Sequence, residues 1–138
     1  MRIALDFDGT VVERGSYPKI GEDLGAIPTL LRIQELGAKI FLWTCRGQKE
    51  LAEAEQYLEQ RGINLHAPEY LQGAAKPVAD LYIDDRGLGA PLTVYGLDWK
   101  AVSPRLIEAM ESLRRAEAGR IPPQEADSPR SRQGDGES

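Results

Sequence analysis

The stretch IALDFDGTVV, residues 3–12, decides the fold. Ile3, Ala4, Leu5 and Phe7 make an apolar run that reads as a central strand over residues 2–7, buried on both faces. Asp6 and Asp8 fall at its end, two residues apart, and Gly9 and Thr10 follow at once. Side chains alternate along an extended chain, so the two aspartates share a face. A buried carboxylate is costly unless it is paired, hydrogen-bonded or on a metal. Both aspartates therefore need partners from elsewhere in the chain.

Outward from this strand, the signals alternate between helix and strand. Residues 9–22, rich in Gly, Ser, Pro and charge, read as a long loop or small hairpin. Ile27, Leu30, Leu31 and Leu36 give a helical stripe, with Pro28 in its first turn and Gly37 as its stop. KIFLWT, residues 39–44, reads as a second buried strand. A second helix is expected over residues 48–61, with Leu51, Ala54 and Leu58 inward and Gly62 ending it. Residues 63–65 suit a short third strand, and residues 66–76 a loop. ADLYIDD, residues 79–85, reads as a fourth strand ending in two acids, and PLTVYG, residues 91–96, as a short fifth. Ser103 and Pro104 match an N-cap and first helical position, followed by Leu106, Met110 and Leu113 on one face.

Strand–helix alternation over this length implies an α/β domain: a single Rossmann-like, three-layer unit with a central parallel sheet and helices on both faces. Sites in such sheets form at the carboxyl ends of the strands. Asp6 and Asp8 end the first strand, Thr44 the second, and Asp84 and Asp85 the fourth, while Lys76 precedes the fourth. Four carboxylates this close repel one another unless a cation intervenes. All-oxygen ligands point to a hard ion, Mg²⁺, with Asp6, Asp8, Asp84 and Asp85 as its candidate ligands. Mg²⁺ takes few carboxylates and completes its shell with water and phosphate, so a phosphorylated substrate follows. Gly9 and Thr10, where the chain leaves the strand, are expected to bind it through closely approaching backbone N–H groups. Thr44 offers a hydroxyl and Lys76 a compact positive charge to the same phosphate. Arg46 and Arg86 adjoin these positions and either touch substrate or pair with acids. Cys45 reads as a strand-end residue, Trp43 as core, and Trp99 as cover for the sheet edge.

These motifs resemble those of the haloacid dehalogenase (HAD) superfamily of phosphohydrolases. LDFDGT matches its first motif, IFLWT its second, Lys76 its third and LYIDD its fourth, in the family's order over residues 1 to about 100. Neither inter-motif segment has room for the inserted cap domain that many members carry. The chain is thus most similar to small, capless bacterial members, and more loosely to polynucleotide 3′-phosphatases and deoxynucleotidases, which share an Asp-Asp-Arg at the fourth motif. The resemblance implies a Mg²⁺-dependent phosphatase that hydrolyses a phosphomonoester through an aspartyl-phosphate. Asp6 would be the nucleophile, and Asp8 the acid and then the base. Asp6, the Asp8 backbone carbonyl and Asp85 would hold Mg²⁺, with Asp84 as a further ligand or orienting a bound water. Thr44, Lys76 and the Gly9 N–H would neutralise the phosphoryl group. Two alternatives use the same residues: a non-catalytic domain that binds a phosphorylated ligand or a protein, and a polynucleotide 3′-phosphatase-like activity.

The composition sets the remaining bounds. The chain has 138 residues, 41% hydrophobic and 28% charged, with a formal net charge of -5. That is one domain's worth of soluble, core-forming sequence. The charge and the lack of a basic block disfavour extended nucleic acid and fit a small phosphorylated substrate. A single cysteine allows no intrachain disulfide. No apolar run approaches the roughly 20 residues that span a bilayer, and no signal core is present, so a cytoplasmic protein without membrane contact is expected. Residues 1–118 are expected to form the domain and residues 119–138, polar and rich in Pro and Gly, a disordered tail. A homo-oligomer is a candidate means of closing a capless site.

Overall fold

The computed structural model describes residues 1–119. The expected disordered tail lies, but for Gly119, outside the described residues. The elements run β1 (Arg2–Leu5), α1 (Ile27–Glu35), β2 (Lys39–Leu42), α2 (Gln48–Glu59), β3 (Leu81–Ile83), β4 (Leu92–Thr93), β5 (Gly96–Leu97) and α3 (Trp99–Ala118). Strands β2, β1 and β3 form a parallel sheet in that order, with β1 central. Its register aligns Ile3 with Ile40 and Leu81, Ala4 with Phe41 and Tyr82, and Leu5 with Leu42 and Ile83. The chain is therefore a mixed α/β protein with a parallel sheet, and among the described residues no helix is long and apolar enough to cross a membrane.

Helices α1, α2 and α3 pack on one face of the sheet. Ile3, Leu5, Phe7, Ile40, Leu42 and Ile83 join Leu30 and Ile33 of α1, Ala54 and Leu58 of α2, and Leu106 and Met110 of α3 in one buried cluster. Fully burying each Leu, Ile or Phe contributes about 1.5–3 kcal/mol, so this face supplies most of the apolar driving force. The alternate row, Ala4, Phe41 and Tyr82, points the other way, outside that cluster. The expected second helical layer does not appear on this face among the described residues. Residues 66–80 cross it instead, in irregular form. The Arg2 guanidinium lies over the Phe41 ring at 5.2 Å and donates to the Ala67 carbonyl at 2.8 Å. The Tyr82 hydroxyl donates to the Pro77 carbonyl at 2.6 Å. A 15-residue crossover with no apolar 3.6 period has no stripe with which to form a packed helix.

Three further expectations change. Residues 63–65 make one parallel bridge, Ile40 to Leu65, rather than a strand. PLTVYG is no fifth strand of the sheet; it supplies most of a separate antiparallel hairpin, β4–β5. Helix α3 starts at Trp99, before Ser103 and Pro104. Asp98 is its N-cap, accepting from the Lys100 N–H at 3.1 Å. The Ser103 hydroxyl is committed to Thr29 on α1, 2.5 Å away. Pro104 sits inside the helix. The buried indole of Trp99 and the packing of α3 on α1 outweigh the one backbone hydrogen bond that a proline removes.

Candidate active site

The parallel ladder aims Asp6 at the carboxyl edge of the sheet. Beyond β1, the Asp6 N–H donates to the Ile83 carbonyl at 3.0 Å, and the Trp43 N–H donates to the Leu5 carbonyl at 2.9 Å. Phe7 remains in the core, so Asp6 and Asp8 fall together on the helix-free side, as the period-two reading requires. The chain then turns tightly, with the Thr10 and Val11 N–H groups both donating to the Phe7 carbonyl, at 3.1 and 2.8 Å. Asp6, Asp8, Thr44, Asp84, Asp85 and Arg86 line a single cavity of about 530 Å³.

Asp6 and Asp85 form the charged centre. Asp85 is only 6% exposed. Its Oδ2 accepts from Arg14 Nη2 at 3.0 Å. Burial pushes the Asp6 carboxyl up to about 6; the Phe7 N–H and the Thr10 hydroxyl oppose this, and the Asp85 charge adds to it. Asp84 is more exposed, and its Oδ1 accepts from the Arg86 N–H at 2.8 Å. Of Asp84 and Asp85, Asp85 thus stands nearer to Asp6.

Asp8 does not join the carboxylate cluster. Arg46 grips it in a bidentate pair, Nε to Oδ2 and Nη2 to Oδ1, both at 2.7 Å. The Arg46 side chain is 0% exposed and lies over the rings of Phe7 and Tyr17 at 5.0 and 5.2 Å. Its remaining N–H groups reach the carbonyls of Pro18, Lys19 and Glu50. Asp8 holds the guanidinium above its ordinary value despite burial. All five donors are spent inside the protein, so Arg46 positions Asp8 and has none left for substrate. Among the described residues no three His, Cys, Asp or Glu side chains gather tightly enough to hold a metal ion by themselves. The donor set still fits Mg²⁺: a carboxylate pair and a nearby backbone carbonyl, all hard oxygen, leave room for the water and phosphate that the ion retains.

The structure also reassigns Gly9, Thr10 and Lys76. The Gly9 N–H donates to the Val12 carbonyl at 2.8 Å and is not free for a phosphate. Glycine is required there for another reason: at φ +82°, a Cβ would overlap the Asp85 carboxylate. Thr10 is fully buried, and its hydroxyl donates to Asp6 Oδ2 at 3.1 Å, so it orients Asp6 rather than touching substrate. The Lys76 ammonium lies 4.4 Å from the Tyr82 ring centroid and does not line the cavity. Thr44 lines it, as does the exposed Cys45. Trp43 is not core: it lines the cavity and is 38% exposed.

Sequence reasoning missed the bracing of the site loop from the far end of the domain. The Leu97 N–H donates to the Gly9 carbonyl at 2.8 Å, and the indole N–H of buried Trp99 to the Thr10 carbonyl at 2.6 Å. Gly96, at φ +147°, lets this approach happen, since a Cβ there would overlap the Gly9 carbonyl. The turn-like YGLDW gave no hint of this partner. Gly96→Ala is expected to cost about 2 kcal/mol, a drop of several degrees in melting temperature, through backbone strain and displacement of the loop. A thermal melt at neutral pH checks it; an unchanged midpoint would remove the brace.

A solved structure of a conserved protein coded by a Bacteroides thetaiotaomicron locus matches this fold. It is 37% identical, with a TM-score of 0.66, over 79% of this chain and 91% of that one. The chain belongs to the family of that conserved protein. Membership in that family extends over most of the described fold rather than over a single motif. No protein-family model matches the chain, and no curated protein does.

Proposed function

We propose that the protein is a Mg²⁺-dependent phosphatase of the capless HAD type, with a Rossmann-like sheet, acting on a phosphomonoester. The observation that carries the reading is the meeting of Asp6 and Asp85, from the ends of adjacent parallel strands, in one open cavity. Asp6, Asp85 and the Asp8 carbonyl would hold Mg²⁺, which when bound supplies positive charge beside the transferring phosphoryl group.

The chain's own residues divide the remaining work. A carboxylate oxygen of Asp6, oriented by Thr10, bonds to phosphorus as the ester P–O bond breaks. The leaving oxygen keeps the electron pair and takes a proton from Asp8, which can carry that proton only on an oxygen released from Arg46. Water then attacks the phosphorus of the aspartyl-phosphate, Asp8 takes its proton, and Asp6 and inorganic phosphate are released. Arg46 keeps one of its two hydrogen bonds to Asp8 when Asp8 is protonated and both when it is ionised, and so orients it in each step. Thr44 donates its hydroxyl to a phosphate oxygen. Lys76 adds charge at the rim, and to reach the phosphate it must leave the Tyr82 ring.

The test is phosphate release from p-nitrophenyl phosphate and a panel of sugar phosphates, nucleotides and 3′-phosphorylated oligonucleotides. Release is expected with Mg²⁺ and not with EDTA. Release that persists undiminished in EDTA would rule out the metal-dependent mechanism.

A further inference from the structure

The cavity has a second half that the phosphatase chemistry does not use. Behind the carboxylates its wall is aromatic: Trp43 and Tyr82 are 38% and 37% exposed, with ring centroids 5.5 Å apart and planes at 62°. Both rings stand on the sheet or its immediate extension, and the small side chain of Ala4, beside Tyr82 in register, lets them meet. Tyr82 is held in place by its hydroxyl, which donates to the Pro77 carbonyl. This half is open because residues 66–80 cover only part of the helix-free face. They close over Phe41, which is fully buried, and leave Tyr82 and Trp43 each a little over one-third exposed.

The spacing ties the two halves together. Asp6 follows Ala4 by two residues on the same face, so its carboxylate lies about 6–7 Å further along the strand. A phosphate held at Asp6 therefore has the exposed sides of the Trp43 and Tyr82 rings, which line the same cavity, within reach of the group it is esterified to. A cavity of about 530 Å³ holds a ligand larger than phosphate alone. A flat ring stacks on an aromatic wall of this kind, a base on an aromatic side chain contributing about 1–3 kcal/mol.

We infer that the Trp43–Tyr82 wall is a leaving-group subsite, and that the preferred substrates are phosphomonoesters carrying a planar aromatic ring, a nucleobase or an aryl group. The inference rests on the phosphatase reading for the placement of the phosphate, but it can be measured without turnover. Trp43 is the exposed tryptophan and Trp99 the buried one, so stacking is reported by tryptophan fluorescence.

The experiment titrates the full-length Asp6→Asn protein, in Mg²⁺, with adenosine 5′-monophosphate, adenosine 3′-monophosphate, phenyl phosphate and ribose 5-phosphate. The aromatic ligands are expected to quench Trp43 and to bind more tightly than ribose 5-phosphate. The two nucleotides against phenyl phosphate separate a nucleobase from a simple aryl group. Trp43→Ala and Tyr82→Leu, made in the same background and followed by calorimetry, are each expected to weaken the aromatic ligands roughly tenfold more than ribose 5-phosphate. Equal weakening of all ligands, or ribose 5-phosphate binding as tightly as the nucleotides, would overturn the subsite. Absence of binding by any of the four would overturn it as well. Aromatic binding by a chain that releases no phosphate would refute the phosphatase and leave the subsite standing. Equal hydrolysis of ribose 5-phosphate and nucleotides by the wild type would do the reverse.

Discussion

Asp6→Asn is expected to lower phosphate release by at least about a thousandfold and, in the same protein without metal, to raise the melting temperature at pH 7.5. The two effects have one cause. The carboxylate that would attack phosphorus is buried beside Asp85, and its pKa stands at about 6 against 3.8 unperturbed. A folded-state pKa above the unfolded one means that the native protein binds the extra proton. Stability from this group is then fully present below about pH 4 and is lost as pH rises through about 6. At pH 7.5 the ionised Asp6 costs the metal-free fold on the order of 2 kcal/mol, after allowance for partial exposure. Asparagine keeps the shape and removes that cost. The midpoint should rise by several degrees at pH 7.5, and by progressively less as the pH falls through about 6 to below about 4. Mg²⁺ should narrow the gap, since only the wild type presents both carboxylates to it. Melts across pH with EDTA or Mg²⁺, alongside phosphate release, check both halves. Comparable turnover in the variant, or a lower midpoint at pH 7.5 in EDTA, would contradict the assignment of Asp6.

Arg46→Met is expected to cause the largest loss of stability of any single change at the site, about 3 kcal/mol, enough to lower the melting temperature by roughly 10 °C. The Arg46 side chain is fully buried, and its five N–H groups tie Asp8 to the carbonyls of Pro18, Lys19 and Glu50. Removing it strands those acceptors and leaves Asp8 without its partner, while methionine restores only volume. Arg46→Lys should rescue little, because an ammonium cannot make the two-point contact with a carboxylate. The Arg46→Met, Asp8→Asn double variant should be less destabilised than the sum of the single variants, since the pair is lost only once. Denaturant unfolding of the wild type, the three single variants and the double variant measures these differences. A midpoint for Arg46→Met within a few tenths of a kcal/mol of wild type would show that the pair carries no structural weight. Residual phosphate release should also fall in the folded fraction, as Asp8 loses its orientation.

Much of this was legible in the residues, and the parts that were not share a cause. The apolar runs of β1 and β2, Pro28 in the first turn of α1, and Gly37 and Gly62 past the helix ends all act within a few residues. Local chemistry therefore reveals them. The carboxyl-end rule brought Asp6, Thr44, Asp84 and Asp85 to one cavity because it depends only on strand direction. Side-chain direction is set by tertiary contacts and could not be read. Nothing near Arg46 in sequence shows that it turns inward to Asp8, 38 residues away. The Gly9 N–H was expected to be free, but the turn it opens consumes it. Ser103 and Pro104 look like a helix start by every local rule, and Trp99, anchored to Thr10 across 89 residues, starts the helix earlier. The helix-free second face was illegible for the same reason: strand–helix alternation counts helices and does not say which side each one covers.

The most direct test of the proposed chemistry is to find where the phosphoryl group is held during turnover. Wild-type protein, mixed with Mg²⁺ and a substrate that it turns over, is quenched in acid and reduced with borohydride, which converts an aspartyl-phosphate to homoserine. Mass spectrometry of the N-terminal peptide is expected to show homoserine at position 6, only when substrate and Mg²⁺ are both present. An intact aspartate at position 6 in protein quenched during measurable turnover, or homoserine at Asp8, Asp84 or Asp85 instead, would contradict Asp6 as the nucleophile.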